Sequence, residues 1–203
     1  MGVNITIFGY AYFLREKARQ GFYEPFAKFM NTMTLNLDRF REGNYASLIT
    51  AVFTHVDPWH LISNMVSVYF LGSFLAASPV ITPMRYLTIA LGAGIAGGVG
   101  TLFNRYFNLK AKGGYTRDHI QNLGFSGAVM GISSVAACLA PHSKVLIYGI
   151  VPMPLWALVA FYAVYDGYYL NNPNSNIGHA GHLGGLAFGI AYYFVKLRSL
   201  RVW

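Results

Sequence analysis

The sequence predicts an all-α, polytopic membrane helix bundle. Three observations carry that expectation. Of 203 residues, 55% are apolar and only 11% are charged, whereas a soluble domain averages roughly 25% charged. Mean hydropathy is +0.40. The apolar residues also gather into stretches of transmembrane length, separated by basic, polar or turn-forming segments. This balance argues against a soluble enzyme, whose surface needs more charge, and against a disordered chain, which needs low hydrophobicity. The single cysteine, Cys138, argues against a disulfide framework or a cysteine-rich zinc site. A net charge of +8 does not point to nucleic acid, because no stretch combines dense Lys/Arg with a polar surface; the basic excess is expected to flank lipid.

A helix crossing the hydrocarbon needs roughly 20 mostly apolar residues. Val3–Leu14 is apolar but short, and reads as a shortened first span closed by Arg15, Lys17 and Arg19. The opening Met1-Gly2 with Thr6 fits an acylation pattern, but the residues that follow read as span rather than exposed tail. Residues 15–58 form a long interfacial loop whose Phe22, Tyr23, Phe26 and Phe29 predict amphipathic helix on the bilayer surface. Five further spans follow: Trp59–Ala77, Pro83–Phe103, Leu123–Ala140, Pro154–Leu170 and Ile177–Val195. Residues 104–122 read as a polar basic loop, and Asn171-Asn172-Pro173-Asn174-Ser175-Asn176 as a turn-rich connector. Arg15, Lys17, Arg19, Lys28, Arg39, Arg41, Arg105, Lys110, Lys112 and Arg117 fall on one face; Arg85, Lys144, Lys196, Arg198 and Arg201 fall on the other. The positive-inside tendency puts the first face in the cytoplasm or matrix.

Polar groups inside spans are functional candidates by default. His60 and Asn64 open the second span, Ser126 opens the fourth, and His179 and His182 open the sixth. These three spans run in the same direction. At 1.5 Å rise per residue the groups lie roughly 2 to 9 Å below one interface. A serine hydroxyl needs a base to become a nucleophile, and neutral imidazole suits that near pH 7. Ser126 and His182 supply such a pair. Asn64, His60 and the Ser126 backbone N–H can donate to an oxyanion, the last at a positive helix terminus. Ser126, His60, Asn64 and His179 are expected to give water a polar lining. Asp166, near the same face on the fifth span, is read as apart from His182, so a dyad is expected rather than a triad. Gly181, Gly185 and Gly189, with Gly127 and Gly131, recur every fourth residue and favour close helix approach.

Other readings of the same residues exist. Serines in spans commonly bond to their own helix carbonyls, and His60 with Asn64 can merely bridge helices. His55, His60, His179 and His182 are possible metal ligands, but no carboxylate is well placed beside them. The expectation is that there is no metal and no cofactor.

At these residues the chain resembles the rhomboid intramembrane serine proteases. The motifs are His60-Leu-Ile-Ser-Asn64, Gly124-Phe-Ser126-Gly127 and Gly181-His182-Leu-Gly-Gly185, in order, over residues 45 to 195. The resemblance implies a six-span core with a shortened first span, forming one membrane domain over residues 1–203 with catalytic spans over 59–195. It implies Ser126 as nucleophile, His182 as base, His60 and Asn64 as oxyanion donors, and Gly124, Gly127 and His179 as active-site neighbours. The wording around Phe53-Thr-His55-Val-Asp-Pro-Trp-His60, Gly127-Ala-Val-Met130 and His179-Ala-Gly-His182 is similar to the mitochondrial inner-membrane branch; bacterial members often have Tyr where Met130 stands. That branch carries a further N-terminal span, which would place the first loop in the matrix, in agreement with the basic bias. The Trp-Arg pair common in the family's first loop is Ala46-Ser47 here, which implies a looser loop. The expected activity is endoproteolysis of single-span, membrane-anchored substrates in the bilayer, with the fifth span and the 171–176 connector as moving parts. The alternatives are a non-catalytic rhomboid-like protein that binds membrane clients, and a small transporter; no internal repeat supports the latter.

Overall fold

A computed structural model describes residues 1–111, 117–147, 149–172 and 174–200. Lys112, Pro173 and Arg201, which figured in the charge and turn patterns above, lie outside the described residues.

The first segment is more helical than expected. Helix α1 (Gly2–Arg19) runs through the basic cluster instead of stopping at it. Lys17 and Arg19 occupy its last turn, where cations suit the negative helix end, and Arg15 reaches the Val56 carbonyl at 2.8 Å. Gly21, with φ +101°, then reverses the chain. Phe22 N–H bonds the Lys17 carbonyl and Gly21 N–H that of Ala18, a Schellman C-cap. The 15–58 region is therefore not one surface helix. It holds the end of α1, α2 (Tyr23–Met33), α3 (Leu37–Arg41) and α4 (Ser47–Phe53). Ala11, Leu14 and Phe29 form a small core between α1 and α2, with Phe26, Met30 and Val56 packed against it. Nor is the loop loose at Ala46-Ser47: the Ser47 hydroxyl bonds the Asn44 carbonyl at 2.6 Å, and the Asn44 amide bonds that of Asn31 at 3.0 Å.

The remaining helices are α5 (Pro58–Ala76), α6 (Pro83–Ala111), α7 (Ser126–Leu139), α8 (Leu155–Tyr168) and α9 (His179–Tyr192). A single π-helical turn, Tyr193–Leu197, continues α9. Helix α6 continues past Phe103 into the expected polar loop. Among the described residues, the expectation of an all-α chain fails at a short hairpin: β1 (Lys144–Ile147) and β2 (Val151–Pro154) pair antiparallel, with Lys144 opposite Pro154 and Ile147 opposite Val151.

Helix α7 is the hub. Every residue from Gly127 to Ala137 is buried, against α6 and α9 on one side and α5 and α8 on the other. Its approach to α9 leaves no space for side chains. A Cβ on Gly185 would fall 2.0 Å from the Gly127 carbonyl oxygen, and one on Gly189 2.4 Å from that of Gly131. By contrast, the outward faces of α5, α6 and α8 expose Val66, Phe70, Leu87, Phe103, Phe161 and Val164. An apolar exterior of that extent suits lipid rather than water. By length and composition, α5 and α6 can cross a membrane.

Candidate active site

All of the site's polar groups but Asp166, which lies near the end of α8, are placed in or just before the first turns of helices. Asp57 caps α5, its Oδ1 accepting the His60 N–H at 2.7 Å, and Pro58 occupies the first turn, where a missing N–H costs nothing. This aims the His60 ring at the elbow before α7. There Gly124 has φ +118°, and a Cβ would land 2.4 Å from His60 Cε1. Glycine is required twice over, by backbone conformation and by space.

Ser126 is the first residue of α7, and no side chain caps that helix. Its Oγ lies 2.9 Å from His182 Nε2, across the α7–α9 contact that the glycines permit. The other face of His182 meets Asp166 of α8, contrary to the expectation of a dyad. His182 Nδ1 is 3.1 Å from Asp166 Oδ1 and 3.2 Å from Oδ2. The same carboxylate holds His179 Nδ1 at 2.6 Å, and His179 Nε2 meets the Ser175 hydroxyl at 2.7 Å. Asp166 is 2% exposed. An ionised carboxylate only accepts, so both Nδ1 atoms carry the hydrogen. His182 Nε2 is then free to accept from Ser126 Oγ–H, and His179 Nε2 from Ser175. A continuous chain, Ser126–His182–Asp166–His179–Ser175, results.

A cavity of about 710 Å³ opens beside the serine. His60, Ser63, Asn64, Gly124, Ser126, Gly127 and His182 line it, together with Asp57 at its rim. His179 does not belong to this lining, contrary to expectation. It is buried behind Asp166, with the Tyr169 ring stacked on it. Among the described residues, no group of three or more His, Cys, Asp or Glu is arranged to hold a metal ion.

Two further residues were missed or misread in the sequence. Asp166, read from the sequence as apart from His182, is a carboxylate inside an apolar span, which is itself a signal. His55 enters the sequence reading as a possible metal ligand and within the Phe53–His60 wording, with no role at the site. It is fully buried, and its Nε2 lies 3.0 Å from Asn64 Nδ2 and 3.3 Å from the Phe125 backbone N. Burial and the neighbouring His60 lower its pKa to about 4, so it is neutral. The Phe53 carbonyl is the acceptor its Nδ1–H approaches, short of a full hydrogen bond.

A family model described as "Rhomboid domain" matches residues 42–199. The chain belongs to the rhomboid family. It is 33% identical over 176 residues to the RHOMBOID-like protein 12, mitochondrial, of Arabidopsis thaliana, covering 85% of this chain and 52% of that protein. Rhomboid protein 1, mitochondrial, of Saccharomyces cerevisiae is 29% identical over 148 residues, 72% of this chain and 40% of the relative. The human presenilin-associated rhomboid-like protein, mitochondrial, is 26% identical over 151 residues, 71% of this chain and 36% of the relative. This rhomboid thus spans about half or less of the length of each of them. The matched region contains every side chain of the cavity's polar cluster as well as the Asp166–His179–Ser175 extension.

Proposed function

We propose that this rhomboid is an intramembrane serine endopeptidase acting on membrane-anchored, single-span proteins. The observation that carries the reading is the alignment of Ser126 Oγ, His182 Nε2 and Asp166 in one hydrogen-bonded line. Ser126 Oγ attacks the scissile carbonyl carbon while His182 Nε2 takes its proton. The tetrahedral oxyanion is received by the Ser126 N–H at the α7 terminus and by His60 and Asn64. His182 returns the proton to the leaving amine, and the acyl-enzyme is hydrolysed by water activated on the same imidazole. Asp166 holds the productive tautomer and offsets the imidazolium charge, which makes the unit a triad rather than a dyad.

A six-span arrangement, α1 and α5–α9, fits this chemistry. Helices α7, α8 and α9 have 14 residues each, roughly 21 Å at 1.5 Å per residue, against a hydrocarbon core of roughly 30 Å. Starting α7 and α9 below the interface puts Ser126 and His182 at depth and leaves room for a water-filled recess. The names of the relatives favour a mitochondrial membrane, and the basic bias of the 15–58 and 104–122 segments then favours a matrix-facing side for the site.

Labelling detergent-solubilised protein with a fluorophosphonate tests the reading. Labelling abolished in Ser126→Ala and reduced at least tenfold in His182→Ala is expected. Equal labelling of these variants and the unmodified chain would reject it. A protein that only binds membrane clients would keep no reason for the 2.9 Å serine–imidazole contact.

A further inference from the structure

We infer that His55 is a positioning residue for the oxyanion site, an acceptor that fixes both the Asn64 amide and the backbone elbow before Ser126. The inference rests on the protease reading for its kinetic consequence and on geometry alone for its structural content.

The geometry settles proton positions without further assumption. The Phe125 backbone N–H can only donate, and it points at His55 Nε2 over 3.3 Å. Nε2 is therefore the unprotonated nitrogen, and the ring is the neutral Nδ1–H tautomer. Asn64 lies 3.0 Å from the same nitrogen, so it must present its NH₂ group there rather than its carbonyl. One hydrogen of that NH₂ is consumed by His55. The second is held in the fixed plane of the amide, in a side chain that lines the cavity with Ser126 and His182. A flipped or freely rotating Asn64 would offer an oxygen instead, which repels an oxyanion.

The backbone follows the same logic. Gly124 N–H bonds the Ala51 carbonyl at 2.9 Å, and Phe125 N–H bonds His55. Two successive amides are thus tied to the end of α4 and the residues just after it, and the next, Ser126 N–H, opens an uncapped helix, where the first N–H groups have no intrahelical partner. The anchor is itself held: the Thr54 hydroxyl bonds the Thr50 carbonyl at 2.9 Å, and Thr54 and His55 are fully buried. The Phe53 and Phe125 rings touch at 5.9 Å. The low pKa of His55 keeps it an acceptor across the working pH range.

Two side chains of similar polarity separate positioning from bulk packing. Glutamine can place an acceptor oxygen near the Nε2 position, whereas asparagine reaches only the Nδ1 position. His55→Gln should keep kcat within about tenfold of the unmodified chain, and His55→Asn should lose about 10²-fold with KM changed less than threefold, the loss typical of a missing oxyanion donor. In the double variant His55→Asn/Asn64→Ala, the loss should be within about threefold of the worse single variant, because removing His55 already removes the Asn64 contribution. Multiplying losses, or equal damage from Gln and Asn, would overturn the inference. Imidazole ¹⁵N spectra of the full chain in detergent give a readout independent of catalysis. They should show His55 as the neutral Nδ1–H tautomer at pH 6, with its Nε2 resonance shifted by Asn64→Ala and unmoved by Ser126→Ala. An Nε2–H tautomer would overturn the inference even if the chain proves a protease. A chain without fluorophosphonate labelling but with the Nδ1–H tautomer and the Asn64 response would instead overturn the protease reading and leave His55 as the anchor of the elbow.

Discussion

Replacing Asp166 by asparagine separates a triad from a dyad. The carboxylate is shared: Oδ1 is 2.6 Å from His179 Nδ1, while His182 Nδ1 is 3.1 and 3.2 Å from the two oxygens. Asparagine has the same shape but one acceptor and one NH₂ donor. Its oxygen is expected to stay with His179, the shorter contact, which puts the NH₂ in the place of Oδ2 against His182 Nδ1. That nitrogen must then accept, so the imidazole proton moves to Nε2 and faces Ser126 as a donor. The base is lost through its tautomer while the 2.9 Å spacing survives. The imidazolium formed on acylation also loses its buried counter-charge. A hydrogen bond to a charged group contributes about 1.5–3 kcal/mol, and the wrong tautomer adds a similar amount, giving about 4 kcal/mol in total. At 1.36 kcal/mol per factor of ten, kcat should fall about 10³-fold; in soluble triads the same exchange costs about 10⁴.

Alanine at 166 is the informative companion. It removes the acceptor without installing a donor, so His182 can still populate the productive tautomer, and a loss of about 10²-fold is expected. Single-turnover cleavage of a transmembrane substrate in proteoliposomes, with folding checked by circular dichroism melts, measures both variants. The signature is the order, Asn below Ala. Retention of more than a tenth of kcat in Asp166→Asn would refute the role given to the carboxylate.

Two further outcomes follow from packing and from titration. Gly185→Ala drives a Cβ to 2.0 Å from the Gly127 carbonyl oxygen; neither backbone can yield cheaply, so a loss of about 2–3 kcal/mol is expected, read as a lower unfolding midpoint in detergent, and an unchanged midpoint would contradict the α7–α9 contact. His55 titrates at about 4 in the fold against 6.5 when solvated, chiefly through burial and secondarily through His60. Its folded pKa is depressed because the neutral ring is favoured, so its stabilisation is complete above about pH 6.5. As pH falls toward 4 the unfolded chain takes up a proton that the fold excludes, and stability drops by at most about 1.4 kcal/mol per unit. Thermal melts of His55→Gln should show a shallower decline between pH 6 and 4.5, and an identical slope would assign the decline to other groups.

Much of the arrangement was legible because the informative residues sit at helix starts, where local chemistry decides. Asp57-Pro58 announces the beginning of α5, and Gly124 must precede α7 because the chain turns there with positive φ. The four-residue glycine spacing foretold the α7–α9 approach, since small faces permit what larger side chains forbid. Asp166 was not legible as a partner of His182, because its contact depends on how α8 leans toward α9, a tertiary matter that span periodicity does not encode. The β-hairpin escaped notice for a related reason. Lys144–Ile147 and Val151–Pro154 are short, two prolines fall in the second, and their pairing is fixed by the tight link between α7 and α8 rather than by propensity. Helix α1 outran its apolar stretch because backbone hydrogen bonds continue wherever side chains can be accommodated, and Arg15 finds a carbonyl at Val56.

The long first segment acquires a purpose from the hydrogen bonds it makes. Buried non-helical backbone must find partners inside the protein, and the chain from Asp118 to Phe125 leading to Ser126 is non-helical. Several of its groups are met from the 35–55 region. The Asn36 amide donates to the carbonyls of Asp118 and Ile120, at 2.7 and 3.0 Å. Asp38 receives the Asp118 N–H at 2.6 Å, and Leu35 and Asn122 exchange backbone bonds. Arg105 closes the cluster from α6 by pairing with the buried Asp118 carboxylate. Ala51 and His55 complete the series at Gly124 and Phe125. The next residue is Ser126, whose hydroxyl faces an imidazole. The proposed oxyanion site at the Ser126 N–H is thus approached by a stretch in which the amides of Asp118, Ile120, Asn122, Gly124 and Phe125 already have acceptors. On the proposed protease reading, the 35–55 region therefore serves the site without touching substrate, by holding the chain that leads to Ser126 in place.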